Sequence, residues 1–66
     1  MWDQIEGNWH KFKGKIREKW GDFTDDEIDE MNGRREYLIG KLQSKYGWDK
    51  DRAEREADDW SSHLFH

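Results

Sequence analysis

Trp2-Asp3-Gln4-Ile5-Glu6-Gly7-Asn8-Trp9-His10-Lys11-Phe12-Lys13-Gly14-Lys15-Ile16-Arg17-Glu18-Lys19-Trp20-Gly21 is the stretch on which the fold turns. Its apolar residues are Trp2, Ile5, Trp9, Phe12, Ile16 and Trp20, spaced 3, 4, 3, 4 and 4 apart. At about 100° per residue they fall on one narrow stripe. That predicts one amphipathic helix over the first twenty positions, stopped at Gly21.

Beyond it, Thr24 and Glu27 have the spacing of a capping box, and Phe23 and Ile28 that of a hydrophobic staple. Asp25 and Asp26 suit the positive end of a helix dipole. A short second helix is expected at about 25–32, with Ile28 and Met31 inward, closed by Asn32-Gly33. A third is expected at about 34–46, with Leu38, Ile39, Leu42 and Tyr46 as its apolar face and Gly47 as its stop. Asp49 reads as the N-cap of a fourth, on which Ala53, Ala57, Trp60 and Leu64 recur at 4, 3 and 4. The tail 61–66 is expected to fray.

The glycines are periodic. Gly7, Gly14 and Gly21 are seven apart, as are Gly33, Gly40 and Gly47, and a shift of 26 superposes the two sets. The same shift aligns Ile5 with Met31, Phe12 with Leu38, Lys15 with Lys41, Ile16 with Leu42, Lys19 with Lys45 and Trp20 with Tyr46. Two copies of long helix, glycine turn and short helix predict an all-α fold of four short helices in two hairpins. Charge follows the repeat: residues 1–20 net +2, 22–32 net −6, 33–47 net +3 and 48–66 net −3. Helices of opposite sign attract across their borders, though each exposed pair contributes only about 0–1 kcal/mol.

Composition limits function. The chain has 66 residues, enough for one small domain spanning 1–66. Charged residues make up 42% and the hydrophobic set 32%, so the core rests heavily on its aromatics. With no cysteine there is no disulfide, thiolate metal site or cysteine nucleophile. No apolar run approaches the ~18 residues of a membrane span. Met1-Trp2-Asp3-Gln4 lacks the basic and apolar regions of a secretory signal, so a cytoplasmic protein is expected. A chain this short has little interior to spare for a catalytic cleft.

Several stretches, in order, form a pattern: Asp3-Gln4-Ile5-Glu6-Gly7-Asn8-Trp9, Phe12-Lys13-Gly14-Lys15, Lys19-Trp20-Gly21 and Phe23-Thr24-Asp25-Asp26. Gly33-Arg34-Arg35, Gly40-Lys41-Leu42, Tyr46-Gly47 and Ala57-Asp58-Asp59-Trp60 follow. Over about residues 2–60 the sequence resembles the CsbD-like family of small bacterial stress proteins, most closely the YjbJ type. The resemblance implies two roughly orthogonal helical hairpins, as in SAM domains, in a cytoplasmic protein made under general stress. It implies no activity and carries over no site residue. The chain departs from the family in its tail, Ser61 to His66, and at Trp48.

Gly-Lys at 14–15 and 40–41 lacks the strand, the spacing and the following Ser or Thr of a phosphate loop, which excludes nucleotide binding of that kind. Asp25-Asp26-Glu27-Asp29-Glu30 lacks the alternation and central Gly of a calcium loop, and capping explains it better. His10, His63 and His66 are too dispersed for a metal site, and Ser44, Ser61 and Ser62 have no base beside them. No catalytic residue, cofactor or metal is expected.

Gly7, Gly14 and Gly40 lie away from the apolar stripes, where each costs up to about 1 kcal/mol relative to Ala. A closely approaching helix or a local bend explains them, or backbone bared for a partner. Lys11, Lys15 and Lys19 form a row, repeated by Lys41 and Lys45. They read as a solvated face or as a salt-sensitive nucleic-acid surface. The acidic pI of about 5.3 weighs against the second. The sequence therefore reads as a monomeric, non-enzymatic helical protein of binding or protective role. A weak nucleic-acid binder and a protein-interaction module are the alternatives. Trp9, Trp20, Trp48 and Trp60 should decide whether it folds. Trp9→Ala or Trp60→Ala is expected to cost about 3–5 kcal/mol, and an unchanged melting midpoint would contradict that role.

Overall fold

A computed structural model describes residues 1–65. Five helices follow one another: α1 (Trp2–Gly7), α2 (Trp9–Lys19), α3 (Asp25–Met31), α4 (Arg35–Tyr46) and α5 (Lys50–His63). No strand occurs among the described residues. The chain divides into two compact units, Met1–Arg34 and Arg35–His66, so the division falls within two residues of the second repeat's first glycine.

In the first unit the expected single helix is broken. Asn8 leaves the helical region at φ −123° and ψ 33°, and both its backbone N–H and its side-chain Nδ2 donate to the Gln4 carbonyl at 3.1 Å. Asn8 thus closes α1 and also precedes α2, where its own carbonyl accepts from Lys11 N–H at 2.8 Å. Gly7 and Asn8 are poor helix formers, which makes the break cheap. What the break achieves is packing. Ahead of the break, α1 buries Ile5 completely and sets its Glu6 backbone against the turn that ends α3.

That turn is built for the approach. Asn32 at φ 51° and Gly33 at φ +76° both adopt left-handed backbone. A Cβ on Gly33 would lie 2.7 Å from Glu6 Cα, 3.0 Å from Glu6 N and 3.1 Å from Ile5 O. Only glycine satisfies both the backbone angle and the space. The α3 helix begins as its sequence indicates. The Thr24 N–H donates to Glu27 Oε1 at 2.9 Å and the Glu27 N–H to Thr24 Oγ1 at 3.2 Å. Trp9, Ile16, Trp20, Phe23, Ile28 and Met31 complete the buried set.

The second unit packs α4 on α5 through Leu38, Ile39, Leu42, Ala53, Ala57 and Trp60. Gly47 ends α4 with φ +68°, and the Asp49 carboxylate accepts from Arg52 N–H at 2.7 Å to start α5. Two expectations need correction here. Helix α5 does not fray from Ser61 but continues to His63; Ser61 is fully buried, and its Oγ donates to Asp58 O at 2.9 Å. His66 lies outside the described residues. Trp48 and Tyr46 are half-buried rather than core. They stack at 4.9 Å, and the Arg52 guanidinium sits 4.3 Å from the Trp48 ring centroid, so the pair clasps the α4–α5 turn.

The outward glycines separate by cause. Gly7 adjoins the break. Gly14 and Gly40 sit inside α2 and α4 with nothing within 4 Å of a Cβ, so no close packing explains them. Gly33→Ala is expected to lower stability by about 2–4 kcal/mol, from left-handed backbone plus contact with α1. Gly47→Ala, strained in backbone alone, should cost about 1 kcal/mol, while Gly14→Ala and Gly40→Ala should each stabilise by up to about 1 kcal/mol. Thermal melts of the four variants check the order; equal losses at Gly33 and Gly47 would contradict the close approach.

Candidate functional site

The surface with most unassigned chemistry is the polar side of α2. Lys11, Lys15 and Lys19 are exposed on its outer face, about 6 Å apart along the axis. Lys13 and Arg17 point instead toward α3. Lys13 Nζ lies 2.5 Å from Asp29 Oδ1, and Arg17 pairs with Asp25. These two bridges are the attraction between oppositely charged helices that the sequence foretells. Among the described residues, Lys11, Lys15 and Lys19 are left out of the pairing, so their charge faces solvent.

The second lysine pair differs. Lys41 and Lys45 are half-buried on α4, in the other unit, and the Lys41 ammonium lies 5.6 Å from the Tyr37 ring centroid. The row that looks duplicated in sequence is therefore an open cationic face on α2 and an engaged pair on α4.

The repeat also shapes two grooves. In the first unit His10, Lys13, Gly14 and Arg17 face Asp25, Ile28 and Asp29 across α2 and α3. In the second unit Glu36, Ile39, Gly40 and Gln43 face Lys50 and Glu54, with Arg35 at one end. The shift of 26 maps His10, Lys13, Gly14 and Arg17 onto Glu36, Ile39, Gly40 and Gln43. Across the turn the shift falls to 25, because the second copy is one residue shorter there, and it maps Asp25 and Asp29 onto Lys50 and Glu54. The N-caps Thr24 and Asp49 obey the same shift, as do the buried Ile28 and Ala53. Each copy thus builds one groove along an exposed helix glycine, with different charges on its walls. The shortening hides the second half of the repeat from a search at one fixed offset.

Each copy also ties its long helix to its capped helix with the first residue of the long one. Trp9 Nε1–H donates to the Ile28 carbonyl at 2.9 Å, a buried bond. At the matching position, Arg35 donates from Nε and Nη2 to the two carboxylate oxygens of Asp58, both at 2.9 Å, with Glu54 3.6 Å away. The Asp58 hydrogen bonds are the main cause of a raised Arg35 pKa; the nearby carboxylate charges add to it, and desolvation opposes it. A raised folded-state pKa stabilises fully at every pH below arginine's ordinary value and fades only as pH climbs through the folded one. The Arg35 contribution is therefore flat across the neutral range.

The other sequence candidates carry less. His63 Nδ1 lies 2.7 Å from the Asp59 carbonyl, and the Ser44 hydroxyl donates to the Lys41 carbonyl at 3.2 Å. Among the described residues no group of three or more His, Cys, Asp or Glu is placed to hold a metal ion. No helix among them is long and apolar enough to cross a membrane.

The CsbD-like family model matches residues 3–55. A UPF0337 protein of Pseudomonas aeruginosa is 53% identical over 62 residues, which is 94% of this chain and 95% of that one. The UPF0337 protein YjbJ of Escherichia coli K12 is 48% identical over 60 residues, covering 91% of this chain and 87% of its own. YjbJ of Salmonella typhimurium is likewise 48% identical over 60 residues, at 91% and 86% coverage.

The two ties generate a paired prediction. Trp9→Phe keeps the ring and removes a buried donor, leaving the Ile28 carbonyl unsatisfied; a loss of about 1–3 kcal/mol is expected. Arg35→Met breaks a partly exposed pair and should cost only about 1 kcal/mol after solvent screening. Denaturant melts measure both, and a larger loss at Arg35 than at Trp9 would reverse the ranking.

Proposed function

The chain belongs to the CsbD-like family, and from that premise we propose that it is a non-catalytic, stress-associated protein of the bacterial cytoplasm that acts by binding. The observation that carries this reading is the outer face of α2, with Lys11, Lys15 and Lys19 exposed and outside the ion pairs that neutralise Lys13 and Arg17. The hydroxyls of Ser44 and Ser61 donate to backbone carbonyls, which gives no nucleophile with a base beside it.

The chemistry that suits three lysines at helical spacing on an open face is a phosphate backbone. The ligand of this reading is a nucleic acid, held by charge and without base readout. The face opposes a chain of net charge −4, so binding is weak and salt-sensitive. Lys41 and Lys45, half-buried, add less than the sequence repeat implies.

A second reading rests on a different observation. Gly14 and Gly40 leave helix backbone open with nothing within 4 Å of a Cβ, which suits close approach by a partner protein's helix. Gly14→Ala separates the two. It leaves nucleic-acid affinity intact while obstructing a packed helix.

The test is an amide NMR titration with a short DNA duplex. Shifts are expected along α2 around Lys11, Lys15 and Lys19. Three phosphate contacts give a slope of log affinity against log salt of about −3. A dispersed spectrum that does not move, even at low salt, would remove the nucleic-acid reading.

A further inference from the structure

Asn32-Gly33 is the one place in the chain where an asparagine or aspartate precedes a glycine. That pair carries its own chemistry. The Gly33 nitrogen can close a five-membered ring on the Asn32 side chain, and glycine has no Cβ to obstruct the attack. A C–N bond forms between Gly33 N and Asn32 Cγ. Ammonia leaves, taking the hydrogen of the attacking nitrogen, and a succinimide remains. Water then opens the ring at either carbonyl. Cleavage of the new bond gives aspartate at residue 32 on the ordinary backbone. Cleavage of the original peptide bond gives isoaspartate, in which the main chain runs through Cβ and Cγ and is one atom longer. Water is the sole co-reactant.

The fold leaves this site open to solvent and yet holds the reaction back. Asn32 is exposed, so water reaches it. Ring closure needs Asn32 Cβ and Gly33 N on the same side of the Asn32 Cα–C bond. At ψ 26° they lie on opposite sides. Rotation about that bond has to move Gly33, which is buried. Two contacts resist it. The Arg34 N–H donates to the Met31 carbonyl at 3.0 Å and closes the turn. The α1 backbone stands against Gly33, with Glu6 Cα 2.7 Å and Glu6 N 3.0 Å from where a Cβ would be.

We propose that Asn32-Gly33 is a self-modification site gated by the docking of α1. While α1 rests on Gly33, Asn32 stays in its left-handed conformation and the ring stays open. When α1 lifts, the turn is released and Gly33 N reaches Cγ. The isoaspartate product makes that opening permanent. Its extra main-chain atom displaces Gly33 from the position that admits the Glu6 backbone. The aspartate product keeps the backbone and adds one negative charge. The pair thus records how long the first unit has spent open, independently of any ligand on the lysine face of α2.

The test is the rate of conversion, read by mass spectrometry of proteolytic peptides, with chromatography separating aspartate from isoaspartate. Asn8 is the internal control: it is the other asparagine, and it precedes the bulky Trp9. In denaturant, residue 32 is expected to convert well ahead of residue 8. In native buffer at the same pH and temperature, conversion at 32 should be slower by about tenfold or more, as for any reaction that waits on local opening. Ile5→Ala removes the buried side chain of α1 and should speed native conversion several-fold. Should that variant be unfolded, the wild-type chain in urea below its unfolding midpoint decides instead, and its rate should climb before the global transition. Chains isolated with isoaspartate at 32 should melt lower than unmodified ones and lose the Glu6–Gly33 contact. Equal rates in native buffer and denaturant would overturn the gate. So would a native rate that a folded Ile5→Ala chain, or urea below the midpoint, leaves unmoved. No preference for residue 32 in denaturant would remove the site, and an unchanged melt of the isoaspartate chain would remove its consequence.

Discussion

The main chain of α1 rests directly on Gly33, and the rest of the first unit depends on that contact. A short helix of six residues has almost no stability of its own, because nucleation costs more than one turn of hydrogen bonds returns. Docking supplies the difference. With α1 on Gly33, Ile5 is fully buried, while Trp9 starts α2 beside α3 and reaches the Ile28 carbonyl. The Asn32-Gly33 pair makes the contact possible by turning left-handed at the end of α3. A side chain at residue 33 would stand where the α1 backbone now lies.

A second constraint is economy of construction. The chain writes one plan twice and then varies it. Both copies run a glycine-bearing helix into a glycine turn and a capped helix, and both cross from long to capped helix with their first long-helix residue. In the first copy that residue is an indole, sealed from water by its partners. In the second it is a guanidinium on a partly exposed carboxylate. The electrostatics diverge in the same way. The first copy pairs Lys13 and Arg17 with carboxylates of α3 at the surface and leaves three lysines outside those pairs. The second sets Lys41 over the Tyr37 ring on α4. The shared plan sets the order of elements, and the differing charged residues set what each copy presents.

Most of this was legible before any coordinates. The capping box at Thr24 and Glu27, the N-cap at Asp49, the stop at Gly47 and the inward faces of α3, α4 and α5 follow from local chemistry, and local chemistry is what a sequence states. The break at Asn8 was not legible. Its cause is a contact between Glu6 and Gly33, distant in sequence and without periodic signature, and the unbroken stripe argued for the opposite. Ser61 reads as a polar tail residue because its burial depends on a hydroxyl bond to the Asp58 carbonyl that no composition rule anticipates. The two lysine rows look equivalent in sequence, and only the placement of Asp25, Asp29 and Tyr37 tells them apart. The cationic face of α2 was therefore visible as residues but not as a site. Membership of the CsbD-like family was legible from the ordered stretches, whereas a ligand leaves no mark that the sequence alone can show.

The most direct measurement is a nuclear Overhauser contact between the Gly33 α-protons and the Glu6 α- and amide protons of the wild-type chain. A Gly33 Cβ position only 2.7 Å from Glu6 Cα predicts a strong cross-peak from one Gly33 α-proton and a weaker one from the other. No cross-peak in a well-dispersed spectrum would contradict the close approach, and the bent joint with it.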